Sequence, residues 1–201
     1  MRPAPFRAAV VSVVLAATLA GATAAQAVPP PDHNCIFEGV NLNEAHGVTE
    51  RIIGPPPCRE AFAGERWVRP GPGWETAPDA ESAVYPDGYN APEADPIDDF
   101  NAKFRGARYV IDRGTAQERT FTYGPEILQT GFVGENGRPF SVPVSPPFRP
   151  LSVGEHTVVV FVRLSGEHCD GLGTDPELNC LPEGEFQWTG DTPFRVFPRS
   201  A

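Results

Sequence analysis

The chain has 201 residues, with 16 Lys and Arg against 26 Asp and Glu and a formal net charge of −10. Such acidity argues against nucleic acid as a partner, because that affinity comes from basic side chains displacing counterions. The length fits one domain with a long appendage, or a domain of roughly 100 residues preceded by a less regular one.

Residues 1–27 read as an export signal. Arg2 and Arg7 give a short basic start, Ala8 to Ala20 is an apolar run, and Ala25-Gln26-Ala27 is a small-x-small cleavage site. The apolar run is shorter than the roughly 20 residues a spanning helix needs. The expected product therefore begins at Val28, keeps no membrane anchor and is secreted to the extracellular space. Losing two arginines leaves 14 bases against 26 acids, a net charge of −12 that suits solubility outside the cell. Four cysteines in an exported chain predict two disulfides. Of the possible connectivities the spacing favours neighbours, Cys35 with Cys58 and Cys169 with Cys180. No pair has the close spacing of a zinc site, so no zinc is expected.

Residues 28–96 form an irregular Pro-rich arm, in which 12 of 69 residues are proline. Each proline fixes its own φ and removes a backbone donor, so long strands and helices are not expected here. The Cys35–Cys58 bridge would tie a small knot around Ile36, Phe37, Val40, Leu42, Ile52 and Ile53. The stretch Arg66 to Trp74, RWVRPGPGW, sets Trp67 and Trp74 on a Pro/Gly frame. With Trp188 further on, these are candidate binding aromatics for a sugar or a proline-rich peptide; the alternative is that they pack the arm onto its neighbour. Glu81 to Phe100 carries six acids and no base and reads as a solvated linker. Asp95, Asp98 and Asp99 are acidic enough for calcium but lack a loop signature.

Residues 97–201 read as an all-β body. Short strand candidates recur over Ala107 to Asp112, Thr120 to Tyr123, Glu126 to Val133, Pro139 to Val144, Glu155 to Leu164, Gly184 to Trp188 and Pro193 to Phe197. Turn residues separate them, and the pairs Tyr109 and Ile111, Phe121 and Tyr123, Phe140 and Val142, Phe186 and Trp188, and Phe194 and Val196 each share a face. The run around Val158-Val159-Val160-Phe161-Val162 is apolar on both faces, which places it in the middle of a covered sheet. Seven such strands in about 100 residues is the count of an immunoglobulin-like β-sandwich.

The pattern Leu151-x-x-Gly154-x-His156-x-Val158-x-Val160, a long hairpin, then Thr192-Pro193-Phe194-Arg195-Val196 resembles the last two strands of bacterial extracellular Ig-like domains over about 50 residues. Two local disulfides on an acidic exported body are also similar in layout to the actinobacterial enediyne-binding apoproteins. A single lysine, Lys103, against 15 arginines fits the GC-rich coding of such a bacterium. The resemblance implies a sandwich and leaves the activity open, since this fold hosts unrelated functions.

Chemistry has few footholds. The loop from Cys169 to Cys180 carries Asp170, Asp175 and Glu177, and Gly171-x-Gly173-x-Asp175 resembles one calcium-binding nonapeptide turn, in a single copy. There is no Gly-x-Ser-x-Gly elbow, no free cysteine if both bridges form, and only His33, His46, His156 and His168 as imidazole bases. No catalytic residue, cofactor site or metal site is assigned. The expectation is a secreted non-catalytic protein that binds or supports an extracellular ligand or protein. The alternatives are a small extracellular hydrolase using acidic residues, and a protease inhibitor presenting the disulfide-closed loop.

Overall fold

The computed structural model describes residues 33–199, so the expected signal over 1–27 lies outside the described residues. In the arm, proline keeps every element short. β1 (Ile36–Phe37) and β2 (Val40–Asn41) form a hairpin whose turn residues, Glu38 and Gly39, both take positive φ, 48° and 82°, the mirror-image turn that matches strand twist. The Asn41 side chain then accepts from the N–H groups of Asn43 and Glu44 and starts α1 (Leu42–His46), which Gly47 ends in the left-handed region. β3 (Arg51–Ile52), β4 (Glu60–Phe62), β5 (Trp67–Val68) and β6 (Trp74–Glu75) follow.

The acidic stretch that reads as a linker ends in a helix, α2 (Pro96–Lys103). Proline at the first turn, Asp98 and Asp99 beside the N-terminus and Lys103 in the last turn all favour it. Its buried stripe is only Pro96 and Phe100, too little to show as a period in the sequence. Then come β7 (Phe104–Ile111), β8 (Arg119–Tyr123), a 3-10 turn over Pro125–Ile127, β9 (Leu128–Val133), β10 (Pro139–Pro143) and β11 (Gly154–Leu164). β12 (His168–Cys169), α3 (Pro176–Asn179), β13 (Cys180–Leu181), β14 (Gly184–Gln187) and β15 (Thr192–Phe197) complete the chain. Each of the seven expected strands has a counterpart here. The third loses its first residues to the 3-10 turn, and the first begins earlier, at Phe104.

The structure is mostly β, with its main sheets packed in a sandwich-like arrangement. The larger sheet runs β4-β15-β11-β7-β8, with β14 also on β11; the smaller runs β6-β10-β9. β11 is the hub. Along one edge it pairs with β7 from Val158 to Leu164, and along the other with β15 and then β14. Val158, Val160, Val162 and Leu164 enter the core between the sheets with Tyr109, Ile111, Phe148 and Phe194. On the opposite face Val159 is also fully buried, and Phe161 lies under the Arg108 guanidinium at 3.9 Å. β7 accommodates a register shift opposite Arg163/Leu164. Gly106 sits there at φ 123°, where any Cβ would collide with the Tyr123 carbonyl.

Residues preceding 97 complete both sheets. β4 lies parallel to β15 at one edge of the larger sheet, and β6 lies antiparallel to β10 at one edge of the smaller. Both expected disulfides, Cys35–Cys58 and Cys169–Cys180, are present. The first seals a minor core of Cys35, Ile52 and Val68, while Ile36 and Val40 of the expected knot stay about half exposed.

Val160→Ala removes two methyl groups from a site with no exposure, and should cost about 2–3 kcal/mol in urea unfolding. Val133→Ala, at a position 67 % exposed, should change stability by less than about 0.5 kcal/mol.

Candidate functional site

The arm's hairpin and α1 do not lie flat on the smaller sheet. Asn43 holds them in shape: its carbonyl accepts from the Cys35 N–H at 2.8 Å, and its amide donates to the carbonyls of Val48 and Glu50. Gln129 on β9 bridges to α1 twice, its oxygen 2.9 Å from His46 Nδ1 and its amide donating to the His46 carbonyl. Between this tether and the Pro/Gly turns at 54–56 and 70–73 a groove of about 580 Å³ remains open. Phe37, Val40 and Leu42 form its arm wall, and Phe132, Phe140 and Val142 its sheet wall. Phe132 and Phe140 stack with centroids 5.2 Å apart, and His46 meets Phe132 edge-on.

Two arginines line the same groove, Arg59 and Arg69. Arg69 is only 6 % exposed. Its two terminal nitrogens donate to the Ile53 carbonyl and to Thr192 Oγ1, both at 3.2 Å, and neither acceptor is charged. Burial pushes its guanidinium down to about 10; the nearby Tyr109 opposes this slightly and the positive Arg59 adds to it. Nε of Arg59, Nε of Arg69 and the Tyr109 hydroxyl are all buried without a hydrogen-bond partner. Burial likewise raises the Tyr109 phenol. Glu38, which is exposed, is the one carboxylate along the groove among the described residues.

The aromatics expected to bind lie elsewhere. Trp67 is 1 % exposed, with its ring centroid 4.6 Å from that of Phe148 and 5.2 Å from that of Phe194, and so belongs to the core. Trp74 and Trp188 are half-buried and meet edge to face at 6.0 Å, where they close one end of the sandwich against Phe100. His168 stands behind them with no exposure. Its Nδ1 is 2.7 Å from Asp99 Oδ2, and Lys103 Nζ reaches the same oxygen at 2.7 Å. Burial alone would raise the Asp99 carboxyl, but the hydrogen bonds from His168 and Lys103 outweigh it and hold Asp99 below the ordinary carboxylate range. His156 is equally enclosed, its ring nitrogens 2.8 Å from Asp112 Oδ2 and 2.9 Å from the Ser152 carbonyl.

The loop from Cys169 to Cys180 is folded in on itself. Asp170 is buried, accepting from the Leu172 N–H and from the Asn179 amide, and burial raises its carboxyl. Asp175 caps α3 through the Glu177 N–H. Asp95 accepts from the Ala80 N–H, and Asp99 serves His168 and Lys103, so neither of these acids is left open with Asp98 for a cation. Among the described residues no three His, Cys, Asp or Glu side chains stand together as metal ligands.

Arg59, Arg69, His46, Gln129 and Phe132 carry no mark in the sequence that separates them from ordinary surface residues, and only the fold assembles them. No protein-family model matches the chain, and neither the curated proteins nor the solved structures contain a match to it.

The depressed Asp99 carboxyl contributes stability above its ordinary value of 3.8, and this is lost as pH falls through its lower value in the folded protein. Asp99→Asn should therefore lower Tm by about 4–8 °C near neutral pH. That gap should close as thermal scans move below pH 3.8.

Proposed function

We propose that the mature chain is an exported, non-catalytic binding protein, and that it takes a small apolar molecule in the groove between the arm and the smaller sheet. The observation that carries this reading is a groove of about 580 Å³ walled by aromatic, aliphatic and proline side chains. Its size falls within the roughly 300–1,000 Å³ of small-molecule sites, and few charged side chains line it, Glu38, Arg59 and Arg69. General acid–base catalysis on a sugar would call for a second carboxylate across the groove from Glu38. The buried histidine–aspartate pairs face the protein interior, so they support structural roles.

Two disulfides fit an extracellular protein, and no described helix is long and apolar enough to cross a membrane. The finer assignment, an immunoglobulin-like sandwich, is part of the same reading. What supports it is the path of the chain from β7 and β8 in the larger sheet to β9 and β10 in the smaller, then back to β11 beside β7.

Nile red, a neutral dye that brightens in apolar surroundings, should bind the purified protein, residues 28–201. Phe140→Asp should weaken that binding about tenfold or more while leaving the far-UV circular dichroism unchanged. Equal dye binding by the two proteins, or none by either, refutes the assignment.

A further inference from the structure

We infer that the groove's ligand is an anionic amphiphile, an apolar chain or ring system ending in one carboxylate, with that carboxylate seated against Arg59 and Arg69. This rests on the groove being a binding site and names the chemistry it selects. Three observations carry it. First, Arg69 is 6 % exposed, yet neither it nor Arg59 forms a salt bridge among the described residues, while Arg51, the other buried arginine among them, pairs with Glu65. A buried guanidinium without an anion is a costly arrangement that a ligand's carboxylate relieves. Second, both side chains retain a buried Nε–H without an acceptor, and both line the groove. Guanidinium donors are arranged for planar, two-pronged oxyanion recognition, and such charge-assisted bonds are about twice as strong as neutral ones.

Third, the local charge opposes that of the whole molecule. The chain carries 26 acids against 16 bases, yet two arginines and a single exposed carboxylate, Glu38, line the groove. Burial also pushes the Arg69 guanidinium down to about 10, and that value still leaves it positively charged at neutral pH. Apart from His46, whose Nδ1 is already engaged by Gln129, the remaining side chains of the lining are apolar, and Phe132, Phe140, Val142 and Leu42 offer no partner to a polar tail. A sugar, with hydroxyls on every side, would leave most of them unpaired there. A hydrocarbon ending in one anionic group matches both halves.

The test uses displacement of Nile red from residues 28–201 by decanoate, decanol and decyltrimethylammonium, which share a chain and differ in head group. Decanoate should displace the dye at about tenfold lower concentration than decanol, and the cation should be the weakest. Arg59→Gln, at a partly exposed position that the fold tolerates, should narrow the decanoate-to-decanol ratio by about threefold or more. Arg69→Met should remove most of the remainder. Equal potency of decanoate and decanol in the parent protein overturns the anionic assignment but leaves an apolar groove standing, as does a ratio that Arg59→Gln does not change. Absence of dye binding overturns the groove itself.

Discussion

The structure depends on one strand being bonded along both edges and buried on its inner face from His156 to Leu164, with Val159 buried on the other face as well. β11 joins β7 on one side and β15 and β14 on the other, so its backbone groups are satisfied within the sheet. That satisfaction is what allows Val158, Val159, Val160 and Val162 to lose all contact with water at once, and Leu164 nearly all. Everything else is placed relative to this strand: β7 and β8 build outward from it, and Phe148, Leu151 and Trp67 fill the space it faces. Gly106 is part of the same constraint, because the shift that lets β7 follow β11 past Arg163 leaves no room for a side chain.

The proline-rich arm is integrated by the same backbone arithmetic. Proline donates no N–H to a ladder, which confines it to edge strands, strand ends and bulges, and an edge strand needs partners on one side only. The arm therefore contributes very short edge strands, β4 and β6, and lone bridges such as Pro70 to Val144. What it cannot do is lie continuously on the smaller sheet. The groove is the consequence, a gap beside the place where α1 meets β9 through His46, which reaches Gln129 and Phe132.

Polar groups inside the molecule divide into two kinds. His156 is met at both ring nitrogens, by Asp112 and the Ser152 carbonyl, and His168 pairs through Nδ1 with Asp99, which Lys103 also reaches, although His168 Nε2 has no partner. They fasten distant parts of the chain, and His168 lies too deep to meet a substrate. Arg69 and Arg59 belong to the second kind: their neighbours are neutral acceptors or none, and they border open space. The contrast between paired charge in the interior and unpaired charge beside an apolar groove distinguishes a scaffold from a site.

The strands were legible in the sequence because alternation and β-branched runs are local properties, visible in Val158 to Leu164 or in Phe194 and Val196 without knowing the partner. The disulfide pairing was legible too, since short loops between neighbouring cysteines are the easiest to close. α2 was hidden because eight residues with two buried positions leave almost no periodic trace at the end of an acidic stretch. Trp67 and Trp74 look alike on a Pro/Gly frame, yet one enters the core and the other closes its end. The sequence by itself determined the seven longer strands from β7 to β15 and how the cysteines join, while the tertiary structure alone decided the short strands of the arm, the groove and the burial of Arg69. The physical reason is distance along the chain, because residues near 40, 59, 69 and 140 share that groove only after both sheets have formed, and nothing local tells a buried arginine from a solvated one.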